Sequence, residues 1–366
     1  MEIAVLGGGN GGYAAAADLS EAGHRVRFWR RDPQAFGPVL ERKRITLTDA
    51  RGRRDVAIAL PTTDLAAAVK GAELIVIPLP ATAQAGLAAA LAPYLADGQV
   101  VFLPPGTFGS FVLLKAMRAA GNRARVTFTE TGTLPWLARN IGPTETRISV
   151  RATRLPTGAL PAGDSARALG VVAKAFPAVE PIEDALSGAL MNAGPIIHPP
   201  LIIMNAGPLQ HFERWDIHNE GTQPAIRSVT DVLDGERIAV RQALGYRAPH
   251  FPLADHYDDS RPEWMYGNSS HEKLTDSGDW REHIDLKTHR YMREDVELGL
   301  AFLVSVGDWA GVRTPVASGL LALGSAIVGE DFRKTGRTLE TLGLGAVSRA
   351  DMRLLLATGR GAGLPA

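Results

Sequence analysis

The chain has 366 residues, 45% of them apolar and 21% charged, and its 39 basic side chains balance 39 acidic ones. That length allows two domains with sizeable cores, and the even charge removes any global pull toward nucleic acid or an anionic membrane. The absence of cysteine excludes disulfides and thiolate metal sites. The N-terminus enters a strand directly, unlike a signal peptide. No apolar run is read as long enough to span a bilayer, and a cytoplasmic location is expected. Nine histidines are scattered with no His-x-x-x-His or Glu-x-x-His pair, so no metal site is expected.

In chain order, the apolar stretch to Leu6 predicts a strand that runs into Gly7-Gly8-Gly9-Asn10-Gly11-Gly12. An alanine-rich helix follows from Tyr13 to Ala22, Gly23 stops it, and a second strand begins at Arg25. This is the strand, Gly-x-Gly-x-x-Gly loop, helix and strand order of a dinucleotide-binding start. Gly7 permits the tight turn, Gly9 lets backbone approach a pyrophosphate, and Gly12 lets the helix lie close on the strand. The helix N-terminus offers N–H groups and a positive dipole end to phosphates. NAD-binding proteins usually place an acid at the end of the second strand to hold the ribose 2′-OH. Here Arg30 and Arg31 stand there, followed by Asp32. Two cations suit a 2′-phosphate, so NADP(H) is favoured over NAD(H); in the alternative, both arginines are solvated and Asp32 takes the ribose.

Strands and helices then alternate. Asp55–Leu60, Glu73–Pro78, Gln99–Leu103, Val126–Glu130 and Thr146–Thr153 read as strands. Asp64–Lys70, Ala81 to about Ala96, Ser110–Ala120 and Ala166–Phe176 read as helices. That alternation predicts an open, mostly parallel sheet of the Rossmann type, with ligands beyond the carboxyl ends of its strands. Pro78, Pro80, Pro105 and Glu130 lie at such ends. From about Ala185 the pattern turns helical. Two domains are expected, 1–182 for dinucleotide binding and 183–366 for a mainly helical domain. A polar, aromatic insertion, 248–287, interrupts the second half; Tyr257, Trp264 and Tyr266 are candidate pocket walls, and Asp255, Asp258, Asp259 and Glu263 either favour a basic amino group or, the preferred reading, are solvated surface.

The apolar run Leu190–Met204 contains one ionisable residue, His198. Such a histidine is either a satisfied core residue or a pocket residue. Pro199 and Pro200 disfavour a regular helix at His198, which would set it at a helix break beside small residues. Further on, Arg290, Glu294 and Asp295 precede an apolar helix. Asp295 shares a helical face with Leu298 and Phe302 and needs a partner there, whereas Glu294 could make an ordinary i, i+4 pair with Arg290. Arg290 and Asp295 are five apart, so on one continuous α-helix they diverge. They can serve one site only if the helix starts between them.

The chain resembles the octopine/nopaline (opine) dehydrogenase family, particularly bacterial N-(1-carboxyethyl)-amino-acid dehydrogenases, over nearly its full length. The resemblance rests on Val5-Leu-Gly-Gly-Gly-Asn-Gly-Gly12, on Asn192 with His198-Pro199, on Arg290-Tyr-x-x-Glu-Asp295-Val-x-x-Gly-Leu300, and on the run Asp331–Leu344. It implies a Rossmann domain for NAD(P)H and a helical domain for an amino acid and a 2-oxo acid. Within it, His198 matches the catalytic histidine, Asp295 its aspartate partner and Arg290 the carboxylate-binding arginine, with Asn192 and Glu130 on the substrate side. NAD-using relatives carry an acid at the position of Arg30, so their cofactor choice does not transfer. The competing expectations are a dehydrogenase of the ketopantoate reductase or glycerol-phosphate dehydrogenase type, and a non-catalytic NADP(H) sensor. The former lean on a catalytic lysine, and none lies around Asn192 and His198; the latter would not need His198, Arg290 and Asp295 intact. The oligomeric state is open, a homodimer included.

Overall fold

The computed structural model describes residues 1–251, 253, 265–266 and 280–365. Its backbone divides into two compact units, Met1–Ala189 with Arg349–Ala366, and Leu190–Ser348. The expected division at 182/183 in two continuous segments therefore differs from the observed one in two ways. The break lies at Ala189, and the C-terminal helix Arg349–Thr358 packs on β11 (Leu155–Leu160) of the first unit. Met352, Leu355 and Leu356 form its buried stripe at helical spacing.

The first unit is built on an eight-stranded sheet. Its strands are β1 (Glu2–Leu6), β2 (Arg25–Trp29), β5 (Leu60–Thr62), β6 (Leu74–Val76), β7 (Val100–Leu103), β8 (Thr127–Thr131), β11 and β12 (Val179–Pro181), in the spatial order β12-β11-β8-β7-β6-β1-β2-β5. Only the β8–β11 pair is antiparallel. Ile3, Val5, Leu74, Val76, Val100 and Phe102 are fully buried, as strands covered on both faces must be. The chain leaves β1 toward β2 on one side and returns to β6 on the other. The switch point where a ligand crevice opens is therefore the β1/β6 boundary, at the Gly7 and Pro78 loops.

A second sheet, β4-β3-β10-β9, is built from β3 (Arg44–Asp49), β4 (Gly52–Ala57), β9 (Trp136–Gly142) and β10 (Glu145–Arg151). The predicted strands Asp55–Leu60 and Thr146–Thr153 thus fall largely in this sheet and not in the parallel one. Alternation of apolar and polar residues marks a strand but not its partner: β10 pairs with β9 through the tight turn at Pro143-Thr144, but also with β3, which is far away in sequence. Charge joins this sheet to the first helix, α1 (Asn10–Glu21): Arg54 pairs with Glu21 and Asp49, and Arg151 with Asp18 and Asp49.

The second unit is helical. It contains α8 (Gly194–Met204), α10 (Pro224–Ala243), a π-helix (Tyr291–Leu300) continuing into an α-helix (Ala301–Ala310), and the helix Pro315–Val328. The fully buried Arg237 of α10 donates to Asp234, to the Leu190 carbonyl, and to the carbonyls of His250 and Phe251. That fastens the start of the insertion to the start of this unit. Tyr257, Trp264 and the acids Asp255, Asp258, Asp259 and Glu263 lie outside the described residues; Tyr266 is buried. One helical run, Ala185–Met204, has the length and hydropathy to cross a membrane, contrary to the reading of the sequence. With 83% of its most apolar stretch buried inside the protein, it also has the character of a core helix.

Candidate functional site

The glycine loop enters α1 at Gly9, the N-cap, which carries no side-chain cap and has open space where a Cβ would project. Gly7 sits at φ +130°, a backbone conformation that favours glycine. A Cβ on Gly12 would run into the Gly7 carbonyl oxygen, so only glycine lets α1 lie this close to the loop. Asn10 turns away, its Oδ1 accepting the Asn140 N–H at 2.9 Å. Gly11 lies against Leu134 and Pro78. A cleft of about 980 Å³ runs from Gly7 and Gly8 past Arg30, Arg31 and Asp32 to Leu79, Thr82 and Ala83. Arg30 is held along it, donating to the Ala35 carbonyl at 3.1 Å and the Tyr13 hydroxyl at 3.3 Å. Arg31 is exposed. Asp32 caps the next helix, Pro33–Arg42, with Oδ1 accepting from the N–H groups of Gln34 and Ala35. Pro78 is buried just after β6, and Pro80 stands immediately before the helix Ala81–Leu91 without a side-chain cap. Pro105 follows β7, its carbonyl accepting from Gln84.

Glu130 departs from the substrate-side expectation. It is completely buried in β8, and its carboxylate accepts the N–H groups of Phe108 and Ser110 and the Ser110 hydroxyl. A buried carboxylate needs donors, and here the start of the helix Gly109–Ala119 supplies them.

In the second unit His198, Asp295 and Arg290 come together. His198 Nδ1 lies 2.8 Å from Asp295 Oδ2. The imidazole side chain keeps 17% of its surface exposed against 5% for the carboxylate, so the ring and not the acid offers a face to a ligand. Two local features produce this meeting: the first departs from the sequence expectation, and the second meets the condition that a helix start between Arg290 and Asp295, with a helix type the sequence did not announce. First, α8 is not broken at His198; it continues through Pro199 and Pro200. Each proline removes a helical donor, at about 3 kcal/mol or more. Burial of Ile196, Ile197, Leu201 and Ile202, worth ~1.5–3 kcal/mol each, offsets that cost. Second, the helix bearing Asp295 starts at Tyr291, immediately after Arg290, and is a π-helix. Its i→i+5 bonds bring residues five apart over one another. Arg290 and Asp295, divergent on an α-helix, are thus turned toward the same side, where the Arg290 charge acts on both Asp295 and His198.

The two helices meet closely because of two glycines. A Cβ on Gly194 would overlap Asp295 Oδ1, and one on Gly299 would overlap the Pro195 ring. Asn192, nearly buried, accepts the Gly194 N–H at 3.0 Å and shapes the turn into α8. Sequence reasoning missed Gly194, and it missed Tyr291, whose ring stacks on His198 at 3.9 Å. It also missed His218, whose ring stands edge-on to His198 at 5.8 Å. Tyr291 was in plain view beside Arg290; His218 has no local signal. No cluster of three metal-binding side chains occurs among the described residues.

Burial and the Arg290 charge both push His198 well below the ordinary imidazole range. Burial pushes the Asp295 carboxyl up to about 7, against the pull of Arg290. At 2.8 Å the two groups titrate as one unit. Burial favours the uncharged form of each group, and the pair shares a proton along the Nδ1–Oδ2 bond. The arrangement is a proton donor and acceptor with an exposed guanidinium beside it.

Comparison with known proteins gives the family. Residues 181–328 match the family described as NAD/NADP octopine/nopaline dehydrogenase, alpha-helical domain, and residues 2–105 match the NAD-dependent glycerol-3-phosphate dehydrogenase N-terminus. Opine dehydrogenase from Arthrobacter sp. (strain 1C) is 31% identical over 358 residues, covering 96% of this chain and 97% of the relative. The structure of octopine dehydrogenase with NADH and L-arginine superposes with a TM-score of 0.74 at 18% identity, covering 99% of each chain. NADP+-bound yersinopine dehydrogenase superposes with a TM-score of 0.66 at 15% identity, covering 98% of each; these two show the fold. The chain belongs to the octopine/nopaline dehydrogenase family and is an NAD(P)-dependent oxidoreductase acting on CH–NH bonds.

Proposed function

We propose that the enzyme condenses the amine of an amino acid with a 2-oxo acid and reduces the resulting imine with NADPH to an N-(carboxyalkyl) amino acid. The observation that carries this reading is the His198–Asp295 pair with Arg290 beside it. NADPH, when bound, supplies the hydride. His198 holds and moves the proton at Nε2, its Nδ1 being engaged by Asp295, and histidine suits acid–base work near neutral pH. Arg290 holds a substrate carboxylate through its planar fork, and Asn192 shapes the substrate side. The residues present fit the cofactor: Gly7 and Gly8 line the cleft, Gly9 leaves open space at the helix N-terminus for a pyrophosphate, Gly11 and Gly12 let the helix pack closely behind them, and Arg30 and Arg31 on the cleft wall would take a 2′-phosphate. Asp32 spends one oxygen on the helix cap, which favours the arginines over Asp32 as the groups that choose the cofactor.

NADPH consumption should require an amino acid and a 2-oxo acid together, with the secondary amine detected by mass spectrometry. Efficient reduction of an oxo acid without an amine would overturn this reading.

Gly194→Ala offers a check on the helix crossing. The added methyl displaces Asp295 Oδ1, so kcat should fall toward the level of Asp295→Asn while circular dichroism stays native. Wild-type turnover in this variant would show that Asp295 needs no fixed placement.

A further inference from the structure

We infer that Tyr291 is a positioning residue that fixes the His198 imidazole and the Arg290 guanidinium relative to one another, its ring serving the first and its hydroxyl the second. The inference rests on the proposed roles of His198 as acid/base and Arg290 as carboxylate binder.

Tyr291 is completely buried and opens the π-helix. Its ring lies nearly parallel to the His198 imidazole, with centroids 3.9 Å apart and planes inclined by 23°. Asp295 holds one edge of that imidazole. With one edge and one face fixed, rotation of the imidazole is restrained and the direction of Nε2 is set. An acid/base works only if its proton points at the reacting atom, and small misplacements are expensive.

The other end of Tyr291 works on Arg290. Arg290 Nη2 donates to the Tyr291 hydroxyl at 3.3 Å, and its guanidinium carbon lies 4.6 Å from the ring centroid. Arg290 is otherwise exposed, a long side chain that loses rotamer freedom on closing over a carboxylate. Tethering it beforehand removes part of that loss from binding. Tyr291 is itself held, its backbone N–H donating to His289 Nδ1 at 3.3 Å and its ring 4.5 Å from the His289 ring.

The two contacts predict separable kinetic effects, measured with NADPH, a 2-oxo acid and an amino acid. Tyr291→Phe keeps the ring and loses the hydroxyl, so kcat should stay near wild type while KM for the oxo acid rises about two- to tenfold, the yield of one hydrogen bond. In an Arg290→Ala background the same change should raise KM no further. Tyr291→Leu loses the stacking as well, so kcat should fall roughly tenfold to a hundredfold, and Tyr291→Phe serves as its rescue. A merely structural tyrosine would not split kcat from KM in this way. Equal loss of kcat in both variants, wild-type kcat in Tyr291→Leu, or a KM rise that persists without Arg290 would each overturn the inference. If Tyr291→Leu does not fold, Tyr291→Phe and its Arg290→Ala cycle decide the matter. His198→Asn is run in parallel: full turnover there would overturn the acid/base reading itself, whatever the Tyr291 variants do.

Discussion

His198→Ala should lower kcat by about 10²–10⁴-fold, the usual yield of positioned acid–base catalysis, with NADPH binding unchanged by fluorescence titration. Asp295→Asn should also lower kcat, and its pH profile carries more information than its rate. In the wild type the His198–Asp295 pair must hold its second proton to donate it, and burial pushes the Asp295 carboxyl up to about 7. Reduction should therefore be fastest below about pH 7 and fall as pH rises through that value, while oxidation of the secondary amine should rise over the same range. Asn at 295 removes the anion that favours the imidazolium, yet burial and the Arg290 charge still depress His198. The limb of the reductive profile should then move to lower pH. An unchanged profile in Asp295→Asn would show that Asp295 takes no part in the titration that governs turnover.

The second large effect concerns the cofactor. Wild-type kcat/KM should favour NADPH over NADH, and Arg30→Asp should lower NADPH use by about tenfold or more. A hydrogen bond to a charged group is worth about 1.5–3 kcal/mol, and the substituted carboxylate would repel a 2′-phosphate. NADH has no 2′-phosphate, so its use should change little. The cleft wall makes the experiment clean in one respect: among the described residues the Arg30 side chain bonds to the Ala35 carbonyl and the Tyr13 hydroxyl and to no carboxylate, so no ion pair is broken by its loss. A wild-type preference for NADH would make both arginines solvated surface and return Asp32 as the ribose candidate, its second oxygen then carrying the contact.

Much of this protein was legible in the sequence because its signals are local. A glycine at a left-handed turn, a glycine beneath a helix and an apolar strand before them need only neighbours within a dozen residues, and Gly7, Gly9 and Gly12 stand where those rules put them. His198, Arg290 and Asp295 were identified by residue type and by resemblance, yet their meeting was not derivable from spacing. The α-helical rule separates Arg290 from Asp295, and proline rules break the helix at His198. Both rules assume that backbone hydrogen bonding decides alone. In the folded protein, packing decides: buried aliphatic side chains carry α8 through two prolines, and close contact at Gly194 and Gly299 accompanies a π-helix that turns residues five apart onto one face. Glu130 makes the same point from the other side. At the carboxyl end of a strand it has the position of a ligand group, but its side chain is drawn inward by the N–H groups of a helix that begins over twenty residues earlier in the chain. The second sheet and the return of the C-terminal helix to the first unit likewise depend on partners far away in sequence. Composition and motif determined the fold class, the cofactor loop and the residues worth testing; only the tertiary structure decided which of them touch, because contact between distant segments is set by the joint burial of their apolar faces and not by the pattern of either one.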